Sequence, residues 1–174
     1  MVNQDLGRPS WEEFYMFSAF EAATRSSCLD VKTGAVIVKD KRIIASGYSG
    51  APPGIKTCIE RGCRKKELGI EFNEKGSGQC RGAHAEINAM SQLPRGELKG
   101  TTMYSVYFPC SACAKAIVGN GISELVFAKI YKEPDSLTKE LFSEGGVKLR
   151  QLKIDLDKQF ARIKKIAGES KEVN

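Results

Sequence analysis

Apolar positions near the start of the chain recur at helical spacing: Trp11, Tyr15, Ala19 and Ala22. They predict an amphipathic helix over residues 11–26. Ser10, with Glu13 three positions on, forms a capping box that marks its start. The period then shortens. In "GAVIVKDKRIIASGY" two β-branched runs flank Asp40-Lys41, which predicts a hairpin. "TTMYSVY" at 101–107 predicts another strand, "ELVFA" a short buried one, and "VKLRQL" a fifth. Between the first two of these, "PCSACAKAIVGNG" reads as a helix with Gly121 as its C′ residue. Asp135 is placed to cap a further helix that ends at Gly145-Gly146. The last segment, 154–174, carries Leu156, Phe160, Ile163 and Ala167 on one face and lysines elsewhere. It predicts an amphipathic helix that docks on this chain or on a neighbour.

From residue 101 onward strands alternate with helices. The expected architecture is an α/β layered fold with a mixed sheet, antiparallel first and parallel later. The length of 174 residues suits a single domain spanning the whole chain, with a substantial core. Residues 48–83 break the pattern. This glycine-rich stretch has no convincing periodicity and holds Cys58, Cys63 and Cys80. A loop of that length needs something to tie it down.

Composition narrows the class. Hydrophobic residues make up 41% of the chain, the ordinary share for a globular protein. No apolar run approaches the roughly 20 residues of a membrane helix. The first residues show no apolar signal region, so a cytoplasmic protein is expected. Six cysteines in such a protein point to metal or thiol chemistry before disulfides. The net charge of +6 suits an anionic substrate or a nucleic acid, and equally an uncommitted basic surface.

The chemistry centres on "GQCRGAHAEINAM". His84 is the single histidine of the chain, and Glu86 follows two positions later at a predicted helix start. Downstream, "FPCSACAK" places Cys110 and Cys113 at the start of another helix. One histidine and two cysteines are three ligands, the number of a catalytic zinc site with an open fourth position. Glu86 could complete a structural site. At a helix start, however, His84 can reach a metal while Glu86 reaches its bound water. Two thiolates and a neutral imidazole leave zinc formally neutral, so its water is acidified less than in an all-histidine site. Helix N-termini favour the thiolates, and Glu86 can take the proton directly. H-x-E followed by P-C-x-x-C is the known signature of zinc nucleobase deaminases.

Residues 11–153 resemble the deoxycytidylate deaminases of the cytidine deaminase superfamily. The matching segments are "RSSC" (25–28), "TGAVIVKDKRIIASGYSGAPPG" (33–54), "HAEINAM" (84–90) and "PCSACAKAIVGNGI". The resemblance implies a three-layer α/β/α fold, a five-stranded sheet with helices on both faces, and a homo-oligomer, commonly a hexamer. It implies zinc on His84, Cys110 and Cys113, Glu86 as general acid/base, and conversion of dCMP and water to dUMP and ammonia for thymidylate synthesis. It also implies dCTP or dTTP as effectors, with Mg2+ accompanying the nucleotide. The family's G-Y-N-G motif carries an asparagine for the sugar, and here Ser49 stands in its place. Arg25, Ser26, Ala83 and Tyr131 are further substrate-binding candidates by position, and Arg81 is another for phosphate.

Cys28, Cys58, Cys63 and Cys80 remain, the number an all-thiolate structural zinc requires. Some relatives implied by the resemblance carry a second metal near here, so these four are expected to tie down the 48–83 insert. Buried free thiols are the alternative. Other functions compete with this reading. A tRNA adenosine deaminase shares the H-A-E and P-C-x-x-C logic, but the cysteine-bearing insert and flanking segments argue against it. That enzyme is the nearest rival, and a deaminase of another pyrimidine nucleotide is a further alternative. A non-catalytic zinc module would leave Glu86 without a use. Neither a membrane nor a nucleic acid is expected as partner.

Overall fold

The computed structural model describes residues 6–71, 78–131 and 136–168. Helix α1 (Trp11–Thr24) opens the fold, and the Ser10/Glu13 capping box is formed on both sides. Strands β1 (Gly34–Lys39) and β2 (Arg42–Tyr48) follow. Their hairpin turns on Asp40 and Lys41 at φ 48° and 62°, the paired left-handed conformation of a type I′ turn. Next come single turns α2 (Cys58–Arg61) and α3 (Arg64–Glu67), then α4 (Ala85–Met90) and α5 (Arg95–Leu98). The second half runs β3 (Thr102–Tyr107), α6 (Ser111–Gly119), β4 (Glu124–Lys129), α7 (Ser136–Glu144), β5 (Lys148–Gln151) and α8 (Leu156–Gly168). Gly121, at φ 74°, sits past the end of α6 as expected. Asp135 lies outside the described residues.

The sheet order is β2-β1-β3-β4-β5. β1 pairs antiparallel with β2 and β3, and β3, β4 and β5 are parallel. Period-two alternation sends neighbouring residues into separate layers. Ala35 and Ile37 of β1 join Ala85 and Ala89 of α4, Ile117 of α6 and Phe142 of α7. Val36 and Val38 join Tyr15, Met16, Ala19 and Ala23 of α1. Helices therefore cover both faces of the sheet. The buried stripe of α1 is rotated from the predicted one: Met16 and Ala23 are inside, and Trp11 is 49% exposed.

Helix α4 lies directly on edge strand β2. A Cβ at Gly47 would come within 2.3 Å of the Ala85 carbonyl and 2.4 Å of the Ala89 nitrogen. The absent side chain is what allows this approach. Asn88 donates to the Tyr48 carbonyl at 2.8 Å, and Gln92 donates to the Ser46 carbonyl. Asn88 lies in α4 and Gln92 just past its C-cap, while alternate carbonyls of a strand point the same way. Two side-chain amides thereby satisfy successive outward carbonyls of an edge strand.

One expectation needs correction and one needs an addition. The 48–83 insert is not without structure. Thr57 and Glu60 form a capping box over α2, α3 follows, and Gly50 and Ala83 form an isolated bridge. Single turns are too short to show a period, although T-x-x-E was readable. The terminal helix meets this chain through Phe160, whose ring lies edge-on to Phe17 with centroids 5.7 Å apart, and through polar donors the apolar pattern did not mark. Gln159 and Arg162 are buried at 4% and 9%, while Phe160 and Ile163 are 51% and 48% exposed; Ala167 is exposed as well. Gln159 donates to Glu13 Oε1 at 3.3 Å, and Arg162 Nε donates to the Leu6 and Gly7 carbonyls, each at 3.1 Å. The start of α1 offers acceptors, so the helix laid against it supplies donors.

Candidate active site

The backbone brings two helix starts together. His84 is the N-cap residue of α4 and Cys110 that of α6. β2 and β3 flank β1 and run in the same direction; α4 packs on β2, α6 follows β3, and the two helices touch. His84 Nδ1 lies 3.4 Å from Cys110 Sγ and 3.3 Å from Cys113 Sγ. Among the described residues, these three form the one group of metal-binding side chains whose ligand atoms all fall within 4.8 Å of one another. A tetrahedral zinc with Zn–S of about 2.3 Å and Zn–N of about 2.0 Å has an N···S edge of roughly 3.5 Å. The donor set and its spacing therefore fit zinc.

Proximity couples the protonation of the three groups. Contact with the Cys110 sulfur raises the His84 imidazole to about 9. Contact with Cys113, and with His84, holds the Cys110 thiol down at about 3. Contact with Cys110, and burial, push Cys113 up. A divalent ion takes the place of such shared protons when it binds. Glu86 is buried at 4% exposure beside this cluster. Its Oε2 lies 3.6 Å from Cys113 Sγ, and its Oε1 accepts from Ser105 Oγ at 3.5 Å. Burial raises its pKa.

The other expected residues are placed differently. Ser26 and Ser49 are buried, with hydroxyls 2.6 Å apart. Ser26 Oγ also contacts the Ser49 carbonyl at 2.7 Å. Ser49 Oγ contacts the Val31 carbonyl at 3.1 Å and accepts from Thr33 N at 3.2 Å. This network stitches the segment after α1 to the end of β2, and occupies both hydroxyls. Ala83 acts through its backbone bridge to Gly50. Arg25, at the C-cap of α1, is exposed. Arg81 donates to the Lys56 carbonyl at 3.3 Å. Tyr131 packs edge-on against Tyr107 with ring centroids 5.9 Å apart. These two line an open cavity of about 480 Å³ with Asp30, Val31 and Lys32. Sequence reasoning did not single out Ser105. The signal was a hydroxyl at an alternate position of a strand otherwise rich in apolar residues.

Cys58 is buried, Cys28 and Cys63 are half-buried, and Cys80 is exposed. Burial raises the Cys58 thiol, and the charges of Cys63, Cys28 and Cys80 push it the same way. The four therefore share one neighbourhood, although their sulfurs are not gathered within 4.8 Å among the described residues.

A mixed five-stranded sheet between helices, with a His-Cys-Cys cluster on two helix starts and a buried carboxylate beside it, defines a zinc-deaminase type of fold and site. The chain belongs to the cytidine and deoxycytidylate deaminase family, whose zinc-binding region matches residues 9–129. The deoxycytidylate deaminase of Mycobacterium phage D29 is 38% identical over 126 residues, covering 71% of this chain and 98% of the phage protein. That of Saccharomyces cerevisiae is 36% identical over 147 residues, covering 84% of this chain but 46% of the yeast protein. The dCMP deaminase of cyanophage S-TIM5, solved with dCMP and dUMP, superposes with a TM-score of 0.67 at 24% identity. It covers 84% of this chain and 99% of its own, a likeness in fold.

Proposed function

We propose that this protein deaminates dCMP hydrolytically to dUMP and ammonia, with zinc held by His84, Cys110 and Cys113. The observation that carries the reading is the convergence of these three side chains beside the buried carboxylate of Glu86. Family membership and relatives bearing the deoxycytidylate deaminase name supply the substrate. Zinc bound there supplies Lewis acidity that makes water nucleophilic near neutral pH. Glu86 is the proton carrier. It accepts a proton from the attacking water and delivers it to N3 of the pyrimidine. It then carries the second proton to the amine as the C4–N bond breaks. Its burial excludes bulk water from both transfers. The cavity walled by Tyr107, Tyr131 and residues 30–32 is our candidate for holding the nucleotide, and Arg25 and Arg81 are retained as phosphate candidates. Ser26, Ser49 and Ala83 then shape the wall next to it.

The reading extends to residues 1–174 as one catalytic domain, and to a cytoplasmic homo-oligomer, taken as a hexamer, with dCTP or dTTP plus Mg2+ at an effector site. Membership of the family supports these points, and sedimentation with and without the nucleotides tests them. Cys28, Cys58, Cys63 and Cys80 are proposed to hold a structural zinc. The shared neighbourhood of the four cysteines supports it. So do two ties around the insert: Lys66 to Asp30 at 3.1 Å and Arg64 to Gln79 at 3.0 Å. Two zinc equivalents per folded chain are expected, and one equivalent would remove the second site. The activity itself is tested by ammonia release from dCMP, CMP, deoxycytidine and dCTP, with metal analysis on the same sample. Selective turnover of dCMP is expected, and inactivity of zinc-loaded protein on all four would overturn the reading.

A further inference from the structure

Along β3, Met103 and Ser105 face the α4 side of the sheet, where Met103 packs with Ala35, Ala85 and Ala89. Ser105 is 0% exposed. A hydroxyl in an apolar layer destabilises the fold unless it is hydrogen-bonded. The Ser105 hydroxyl reaches Glu86 Oε1 at 3.5 Å. The other carboxylate oxygen, Oε2, lies 3.6 Å from the Cys113 sulfur. The two oxygens of Glu86 are thus held in different environments: one on the sheet, one toward the His84–Cys110–Cys113 cluster.

We propose that Ser105 is a positioning residue for Glu86. Its hydroxyl donates to Oε1 and leaves Oε2 as the oxygen that takes and returns protons at the cluster. The inference rests on the deaminase reading above and goes a step beyond it. Two arguments carry it. A cysteine that ligates a metal is a thiolate with no proton to give. Once Cys113 serves as a ligand, Ser105 is the donor that remains of these two contacts. A carboxyl that must gain and lose a proton in each turnover also needs one orientation throughout, because small misplacements of a reacting group cost rate steeply. A β-strand locked between β1 and β4 is a rigid base for such a donor.

The test is a set of variants at one position: S105A, S105V and S105T. Valine and threonine are matched in bulk and differ by a hydroxyl against a methyl. Wild-type activity on dCMP is measured first. For S105A and S105V, kcat is expected to fall roughly tenfold, the usual effect of one hydrogen bond to a charged group. KM and zinc content stay at wild-type values. Affinity for a nucleotide analogue with a hydrated pyrimidine ring, read by calorimetry, falls with kcat. S105T regains most of both. Full kcat in S105A, equal loss in S105T and S105V, or zinc loss in S105A with kcat per bound zinc unchanged would each overturn the inference. If zinc-loaded wild-type protein does not turn over dCMP, the deaminase reading falls and this inference falls with it. Normal wild-type turnover with an unimpaired S105A overturns the inference alone.

Discussion

Replacing Gly47 with alanine tests how closely the site depends on the seating of α4. The new Cβ would sit 2.3 Å from the Ala85 carbonyl oxygen and 2.4 Å from the Ala89 nitrogen, where ordinary contact begins at 3.4 Å. The shortfall is 3.4 − 2.3 = 1.1 Å, and both obstacles are helix backbone. No side chain can rotate away, so α4 must lift by about 1 Å. Overpacking of this kind costs roughly 1–3 kcal/mol, which in a chain of this size lowers Tm by about 2–12 °C. The same lift displaces His84 and Glu86 from Cys110, Cys113 and Ser105, and a 1 Å misplacement can cost about a hundredfold in rate. Gly34 supplies the control. Its Cβ would meet the Ala19 carbonyl at 2.2 Å and the Ala23 nitrogen at 2.5 Å, an equal clash with α1 on the opposite face. Thermal denaturation should show similar losses for G47A and G34A. Deaminase assays at saturating dCMP should show a large fall in kcat for G47A and a much smaller one for G34A. Equal activity loss in the two, or a G47A protein with wild-type Tm and kcat, would refute the reasoning.

Glu86→Gln removes the proposed proton carrier and keeps the shape. Activity should fall by roughly 10²–10⁴ while zinc content, read by atomic absorption, is unchanged. Cys110→Ser leaves two of the three proposed ligands, and the protein should purify with the site's zinc equivalent missing and turn over no dCMP. Glu13 is held below the usual carboxylate range, first by the Ser10 backbone N–H and also by Arg162. Its contribution to stability is thus full above its unfolded value of about 4.3 and is lost as pH falls through its lower folded value. Urea unfolding should show E13Q less stable than wild type at neutral pH, with the gap closing as the solution is taken below about pH 4. A gap that widens on acidification would contradict the assignment.

Local signals predicted much of this fold. The capping box at Ser10, the turn at Asp40-Lys41 and the glycine after α6 are each decided within a few residues of backbone, and each formed where expected. Signals that need a partner were incomplete. The exposed apolar stripe on α8 marked an amphipathic helix correctly. Its polar contacts were decided by acceptors at residues 6, 7 and 13, far away in sequence. The two short turns of the insert were missed because one turn of helix carries no measurable period.

The same division runs through the site. The proposed ligands His84, Cys110 and Cys113 and the proposed proton carrier Glu86 stood out because metal chemistry restricts the residue types allowed, and because each pair lies within one helix start. Their convergence follows from β2 and β3 flanking β1 in the same direction, with α4 packed on β2 and α6 following β3. The supports could not be read. Gly47 looks like any glycine in a strand, Asn88 and Gln92 like solvent-facing helix residues, and Ser105 like a polar break in an apolar strand. Each acquires its meaning only from the close contact of α4 with β2 and β3. Catalytic groups are conspicuous because few side chains can do their chemistry. The residues that hold them in place are inconspicuous, because many side chains could fill a space and only the fold determines which space that is.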